Sequence, residues 1–300
     1  MWRRLLRLST EKFKTMANFE NITIIGVGLI GGSIGLALKK RPSAHKVIGV
    51  FHRRVTLKKA LKHKAVDIGV MDITSAVRDA DLVVLASPVH LIPELAAKVA
   101  KSAKPGTIVT DVGSTKEWIV SKIEKLFEAS AGVHFVGSHP MAGSEHAGVE
   151  SASEDLFEGS PCIVTKTRRT NSVAFKKVVK FWKSLGLNVK IMTPREHDRT
   201  VSLISHLPHA VAFALTGAVT GKEMECAAEG FRDTTRVASS DPELWADIFL
   251  TNRKAILTAG ASFNKQFARL LRAIAKGDRC ATVKILKNSK SKRDKYLHAK

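Results

Sequence analysis

A short apolar run, Ile22 to Ile25, meets Gly26, Gly28 and Gly31 in G-x-G-x-x-G spacing, and Ser33 to Lys40 continues with helical composition. Strand, tight glycine turn and helix start together form an anion site. Glycine lets the backbone approach a pyrophosphate, and the unpaired N–H groups of the first helical turn point at it. The fingerprint alone also fits a turn that is merely tightly packed. Its strand and helix context, with HKVIGVF following at the distance of a βαβ unit, favours dinucleotide binding. The cofactor candidates are Gly26, Gly28, Leu29, Ile30 and Gly31 in the turn, His52, Arg53 and Arg54 after the second strand, and Ser87 and Pro88 at the exit of DLVVLASP.

The end of that second strand bears on which dinucleotide is held, because an acidic residue there accepts hydrogen bonds from the adenosine ribose. This chain has Phe51, followed by His52, Arg53 and Arg54. Guanidinium groups grip a 2′-phosphate that a carboxylate repels, so NADP is expected, with NAD possible. The alternative is that Arg53 and Arg54 belong to a generally basic surface.

Apolar runs alternate with helical stretches through DLVVLASP, GTIVTDVGS, VHFVGSHP, PCIVTK and NVKIM. This predicts an α/β fold, a Rossmann-type, doubly wound and mostly parallel sheet with ligands at the carboxyl ends of its strands. From Pro194 the texture becomes helical, with a kink expected before Pro208. The expected organisation is a basic N-terminal extension over residues 1–16, a dinucleotide-binding domain over 17–193, and an all-helical substrate and dimerisation domain over 194–300. The apolar helices of that last segment suggest a homodimer.

A net charge of +22 raises nucleic acid as a partner. The first 16 and last 25 residues supply half of that excess, which reads as solvated tails, and a single Tyr leaves little to stack on bases. No nucleic acid is expected. No apolar run reaches the roughly 18 residues a membrane helix needs, so no membrane is expected either. Three widely spaced cysteines give neither a disulfide framework nor a zinc site, and no metal is expected. The chain reads as cytoplasmic, although MWRRLLRLSTEKFK could mimic an organelle-targeting start.

The segment GSHPMAGSEHAG sets His139, Glu145 and His146 among small residues at a strand exit. Ser114 ends the strand in TDVGS, and neighbouring strands could bring its hydroxyl within reach of the His139 imidazole. His206 and His209 lie three apart on one helix face. Arg232, Asp233 and Arg236 cluster in GFRDTTR, and Trp245 follows in DPELWADIF. Each has a plain structural reading: a satisfied core histidine, a surface ion pair, a core tryptophan. Together they gather polar groups beside a dinucleotide fold.

These stretches, GVGLIGGSIGLAL, TDVGSTK, GSHPMAGSEHAGVESASEDLFEG, ISHLPHAVAFAL and FRDTTRVASSDPELWADIF, resemble the prephenate and arogenate dehydrogenases of tyrosine biosynthesis. The resemblance spans residues 22 to 253 and implies oxidative decarboxylation of a cyclohexadiene acid. It places the catalytic histidine at His139, an orienting hydroxyl at Ser114, and a carboxylate-binding arginine at Arg236. His209 would contact the substrate side chain, with Glu145 and Asp233 at the entrance and His206 and Trp245 among the substrate-binding groups. His146 receives no role. Arg232 beside Asp233 and Arg236 suits a second anion, which favours prephenate over arogenate. No fused mutase or regulatory domain is expected. The rival readings are a β-hydroxyacid-type reductase of the same two-domain build and a non-catalytic binding protein.

Overall fold

A computed structural model describes residues 19–40, 46–128, 130, 132–143 and 147–298. The expected N-terminal extension, Glu145 and His146 lie outside the described residues.

Six parallel strands form the central sheet: β1 (Asn21–Ile25), β2 (Lys46–Val50), β3 (Ile68–Val70), β4 (Leu82–Leu85), β5 (Ile108–Asp111) and β6 (His134–Val136). Their order is β3-β2-β1-β4-β5-β6, so the chain reverses direction across the sheet between β1 and β4. These strands read as nearly continuous apolar runs because helices cover both faces. Alternation along each strand splits the core in two. Ile22, Ile24, Leu82 and Val84 face one side with Ile34, Leu38, Phe181 and Trp182, whereas Ile25, Val83 and Leu85 face the other with Ile92, Val99, Ile119 and Ile123. The covering helices are α1 (Leu29–Lys39), α2 (Arg54–Lys62), α3 (Ile73–Val77), α4 (Ile92–Ser102) and α5 (Glu117–Glu128).

VHFVGSHP is not one strand. After β6 the chain leaves the central sheet, and β7 (Ser138–Pro140) pairs antiparallel with β8 (Pro161–Thr165), which pairs parallel with β9 (Asn188–Met192). PCIVTK and NVKIM thus build a separate three-stranded sheet instead of extending the parallel one. Ser138 fixes the crossing point: its N–H donates to Asp111 Oδ1 at 3.0 Å, its hydroxyl donates to the Asp111 carbonyl at 2.7 Å, and Trp182 Nε1–H donates to that hydroxyl at 2.9 Å. Trp182 comes from α6 (Ser172–Ser184), which packs behind both sheets.

From Pro194 the described chain is helical. α7 (Pro194–Val201) opens with a capping box in which Thr193 and Glu196 exchange hydrogen bonds. It runs through a wide π turn, Ser202–His206, into α8 (Leu207–Gly217). The kink expected before Pro208 takes this form, since the wider turn makes room for a proline that has no N–H and crowds the preceding turn. Next come α9 (Gly221–Glu225), α10 (Glu229–Thr235) and α11 (Pro242–Thr251). The chain divides into two compact units between Asn252 and Arg253. The second unit contains α12 (Arg253–Ala275) and α13 (Arg279–His298), joined by a turn at Gly277 with φ 61°.

Close packing of α1 on the loop before β3 gives a stability test. A Cβ on Gly35 would lie 1.8 Å from the Ala65 carbonyl oxygen, a backbone atom that cannot swing away. Ala is the better helix former by about 1 kcal/mol, but overpacking costs about 1–3 kcal/mol or more. Gly35→Ala is therefore expected to lower the denaturant midpoint of unfolding; an unchanged or higher midpoint would contradict this packing.

Candidate functional site

The dinucleotide side lies where the strand order reverses, at the carboxyl ends of β1 and β4. Gly26 has φ 96°, and a Cβ there would fall 2.5 Å from the Ala86 carbonyl oxygen. A Cβ on Gly31 would fall 2.1 Å from the Gly26 oxygen. Gly28 differs, since a Cβ there would meet nothing within 4 Å. Its open face adjoins the start of α1, where Leu29, Ile30 and Gly31 have N–H groups with no partner inside the helix. This cradle fits a pyrophosphate. Ser87, whose hydroxyl donates to the Ile25 carbonyl at 3.3 Å, and exposed Pro88 follow β4 on the facing side.

The ring of Phe51 turns into the core, which removes that position from recognition. His52, Arg53 and Arg54 are exposed beyond β2, with Arg53 at the N-cap of α2. Two guanidiniums at a helix N-terminus make a cationic rim at the strand end.

On the candidate catalytic side, the half-buried His139 leads into a chain of buried polar groups. His139, on β7, has Nδ1 2.8 Å from His197 Nε2. His197 Nδ1 lies 2.7 Å from Asp198 Oδ1. Asp198 also receives the Lys116 N–H on Oδ1 at 2.7 Å and the Glu117 N–H on Oδ2 at 2.9 Å, so one carboxylate from α7 caps α5 across the fold. Lys116 is wholly buried and ion-paired with Asp111, which is also wholly buried; its ammonium donates as well to the Thr115 carbonyl at 3.0 Å. Burial pushes the Asp111 carboxyl up, against the pull of Lys116 and of the Ser138 and Gly113 amides.

Burial, followed by the nearby charge of Lys116, holds His197 well below the ordinary imidazole value. His139 is held well below it by burial first, then by His197, Lys116 and His206. Both rings are therefore neutral at pH 7. His206, at the end of the π turn, accepts from Asn252 Nδ2 on Nδ1 at 3.1 Å, which leaves the proton on Nε2. That Nε2 is buried and has no hydrogen-bond partner among the described residues. Burial pushes His206 down to about 4, with Asp198 and the Ser114 backbone pulling it up.

His209 donates from Nδ1 to the Ser205 carbonyl at 2.9 Å, and its ring stacks on Trp245 with centroids 3.6 Å apart. The His206 ring meets the same tryptophan edge-on at 6.1 Å. Arg236 lies near enough to His209 for its charge to lower that imidazole further, after burial. Arg232 and Asp233 are exposed on α10.

Residues 34–192 match the family described as prephenate dehydrogenase, nucleotide-binding domain, and residues 193–288 match prephenate dehydrogenase, dimerization domain. The chain belongs to the prephenate dehydrogenase family. It is 36% identical to the cyclohexadienyl dehydrogenase of Zymomonas mobilis over 88% of this chain and 91% of that protein. The structure of prephenate dehydrogenase from A. aeolicus, in complex with hydroxyphenyl propionate and NAD+, superposes with a TM-score of 0.86 at 34% identity, covering 93% of this chain and 99% of that one. Arogenate dehydrogenase from Synechocystis superposes with a TM-score of 0.78 at 30% identity, covering 92% and 99%.

Within this family member, the fold gathers Ser114, His139, His206, His209 and Trp245 around the carboxyl end of β5, β7 and the π turn. Among the described residues Ser114 makes no hydrogen bond to His139. The two do not leave adjacent strands of one sheet, because His139 lies beyond the crossing into the second sheet, where it turns toward α7. Four functional groups went unread in the sequence: Asp111, Lys116, His197 and Asp198. His197 and Asp198 follow directly on the capping box of T-P-R-E, the signal that would have fixed the first turn of α7 and drawn attention to them.

The buried neutral histidines set how stability depends on pH. Above the ordinary histidine value of 6.5 the folded and unfolded forms of His206 carry the same charge. Below it the unfolded ring binds a proton that the folded ring refuses until about pH 4, so stability falls across that window. His139 and His197 act in the same sense. Denaturant unfolding is expected to show loss of stability beginning near pH 6.5, and His206→Gln should make the decline shallower by up to about 1.4 kcal/mol per pH unit. The comparison with His206→Gln cancels the opposite contribution of Asp111 and Asp198, whose carboxyls burial pushes up, so a difference between wild type and variant that stays flat from pH 7 to pH 4.5 would refute this.

Proposed function

We propose that this chain oxidatively decarboxylates prephenate to 4-hydroxyphenylpyruvate, with NADP as the preferred hydride acceptor. The observation that carries this reading is His139, an imidazole with Nδ1 2.8 Å from His197 Nε2, in a chain whose β1–α1 turn forms a pyrophosphate cradle.

His139 takes the proton of the ring hydroxyl, which eases departure of hydride from the carbinol carbon. The nicotinamide, when bound, supplies the hydride acceptor. The C–CO2 bond then breaks, its electron pair enters the ring, and His139 returns its proton to the phenolate oxygen as the ring becomes aromatic. A ring with its pKa held well below 6.5 stays unprotonated and ready for the first step. Ser114, part-exposed at the exit of β5, would orient the same hydroxyl. Arg236 would fix the ring carboxylate as a guanidinium pair, with His209 held against Trp245 to meet the side chain. His206 Nε2–H, buried with no hydrogen-bond partner among the described residues, is a donor for a substrate oxygen. Asp233, Arg232 and Glu145 would shape the entrance.

For the cofactor, Gly26, Gly28 and Gly31 with the first amides of α1 would hold the pyrophosphate, and Ser87 and Pro88 would flank it. Arg53 and Arg54, with His52, would hold a 2′-phosphate. The NAD+ in the A. aeolicus structure is that protein's ligand. The buried Phe51 and the exposed arginines support NADP in this chain.

Arogenate is the second reading, supported by the likeness to the Synechocystis arogenate dehydrogenase. An ammonium on the substrate side chain would need a carboxylate such as Asp233, while Arg232 beside it favours the keto acid. A homodimer is proposed from the matched dimerization domain and from Leu257, Phe267, Leu271 and Ile274, all exposed along α12.

Initial rates with prephenate and arogenate, each with NAD and NADP, test these assignments. Prephenate with NADP is expected to be fastest, and Arg53→Ala should raise KM for NADP while leaving that for NAD nearly unchanged. His139→Asn should cost about 10²- to 10⁴-fold in kcat. Efficient tyrosine formation from arogenate with prephenate inert would reverse the substrate assignment, and equal KM shifts for both cofactors would reverse the arginine assignment.

A further inference from the structure

The histidine that faces the substrate is not free to choose which nitrogen carries its proton. Neutral imidazole has one N–H and one lone pair, and the hydrogen bond made by one nitrogen decides the state of the other. Asp198 receives two backbone donors, the Lys116 and Glu117 amides, and its Oδ1 lies 2.7 Å from His197 Nδ1. Burial pushes the Asp198 carboxyl up, but amide donors on both oxygens and the nearby charge of Lys116 favour the ionised carboxylate, which can only accept. His197 Nδ1 must therefore be the donor, and its Nε2 must be a bare lone pair. That lone pair lies 2.8 Å from His139 Nδ1, which must then carry the proton. His139 Nε2 is left bare, in the state a proton acceptor needs.

We propose that His197 and Asp198 are positioning residues that lock His139 as its Nδ1–H tautomer, so that Nε2 is the atom that takes the substrate proton. The inference rests on the dehydrogenase reading for its consequence, though not for its geometry. Free neutral histidine prefers the opposite tautomer, with the proton on Nε2, and in that form His139 could only donate toward the substrate. Both links of the chain are buried: His197 is wholly inaccessible and Asp198 is 2% exposed, so no water competes for either bond. The two residues are also held from outside the pair. Asp198 is pinned by the N-terminus of α5, and Asn252 donates to its backbone carbonyl at 2.9 Å. His197 begins the capped turn of α7, with its N–H on the Thr193 carbonyl at 2.9 Å.

This arrangement separates orientation from acidity. Lys116 and His206 face the same rings and oppose their protonation, whereas Asp198 selects the tautomer. Replacing His197 with Phe keeps a flat ring and leaves the Asp198 cap on α5 intact, yet removes the lone pair that holds the His139 proton. Asp198→Asn tests the same chain from its other end, since an amide NH2 turned to His197 Nδ1 would invert both tautomers.

The experiment is a long-range 15N–1H spectrum of the full-length protein labelled at histidine, with the His139 signals assigned by their loss in His139→Gln. Wild type is expected to show His139 protonated on Nδ1 and bare on Nε2. In His197→Phe the proton should move to Nε2, and kcat should fall by roughly 10²- to 10⁴-fold with KM for substrate and cofactor within a few-fold. A wild-type His139 protonated on Nε2 would overturn the proposal. So would a His197→Phe protein with the Nδ1 proton retained and kcat within two-fold of wild type. If His197→Phe does not fold, the wild-type spectrum and Asp198→Asn give the same reading. If the wild-type protein turns over neither prephenate nor arogenate, the substrate assignment fails while the spectrum still decides the tautomer.

Discussion

The Asp198 carboxylate ends a helix and begins a relay at the same time. By accepting the Lys116 and Glu117 amides it satisfies two N–H groups that α5 cannot pair internally, and by accepting from His197 it fixes the ring that holds His139. Capping bonds of this kind contribute about 1 kcal/mol each, which is modest. Their larger effect is geometric, because the cap comes from a residue 82 positions away in sequence and so ties the exit of β5 to the first turn of α7. Losing the carboxylate would loosen the helix start and the imidazole chain together.

The second constraint is the pair of Lys116 and Asp111, both without solvent exposure. Removing one member of a buried pair costs about 3–5 kcal/mol, because the remaining charge has no water to turn to. Stability alone does not explain the pair, since an apolar substitute of equal volume is often as good. Its position does suggest a purpose. Asp111 organises the crossing into the second sheet through the Ser138 amide, while the ammonium of Lys116 discourages protonation of His139 and His197. One ion pair thus acts both on the path of the chain and on the charge state of the two imidazoles.

The parts of the fold that were readable in sequence are those written in local chemistry. The glycine turn, the parallel strands in HKVIGVF, DLVVLASP and GTIVTDVGS, and the helical texture after Pro194 depend on residues within one or two turns of one another and are found where the pattern placed them, whereas PCIVTK and NVKIM went to a second sheet. The crossing at Ser138 was not readable. VHFVGSHP carries only Gly137 and the closing Pro140 as punctuation, and what bends the path at Ser138 is a set of bonds from Asp111 and Trp182, remote in sequence. The site shows the same division. His139, His206, His209 and Trp245 stood in segments distinctive enough to name, while His197 and Asp198 sit in a charged stretch, PREHDR, whose composition reads as solvent-facing. Adjacent residues on a helix point about 100° apart, so a buried His–Asp pair at neighbouring positions breaks the amphipathic pattern by which burial is read.

Charge is distributed in depth across the site. The buried layer holds neutral imidazoles and a closed ion pair, while the cations proposed to meet an anionic ligand, Arg53, Arg54, Arg232 and Arg236, are exposed. An arginine placed beside His139 would bind a carboxylate strongly but would also stabilise the bound anion before reaction, and interactions equal in ground and transition states do not raise kcat. Under the proposed reaction, cations held at the rim would supply orientation and leave the reacting hydroxyl facing a lone pair in a medium where a hydrogen bond is stronger than in water. On that view the +22 of the whole chain matters less than the pairing of the buried Lys116, the cation that acts on His139, with Asp111.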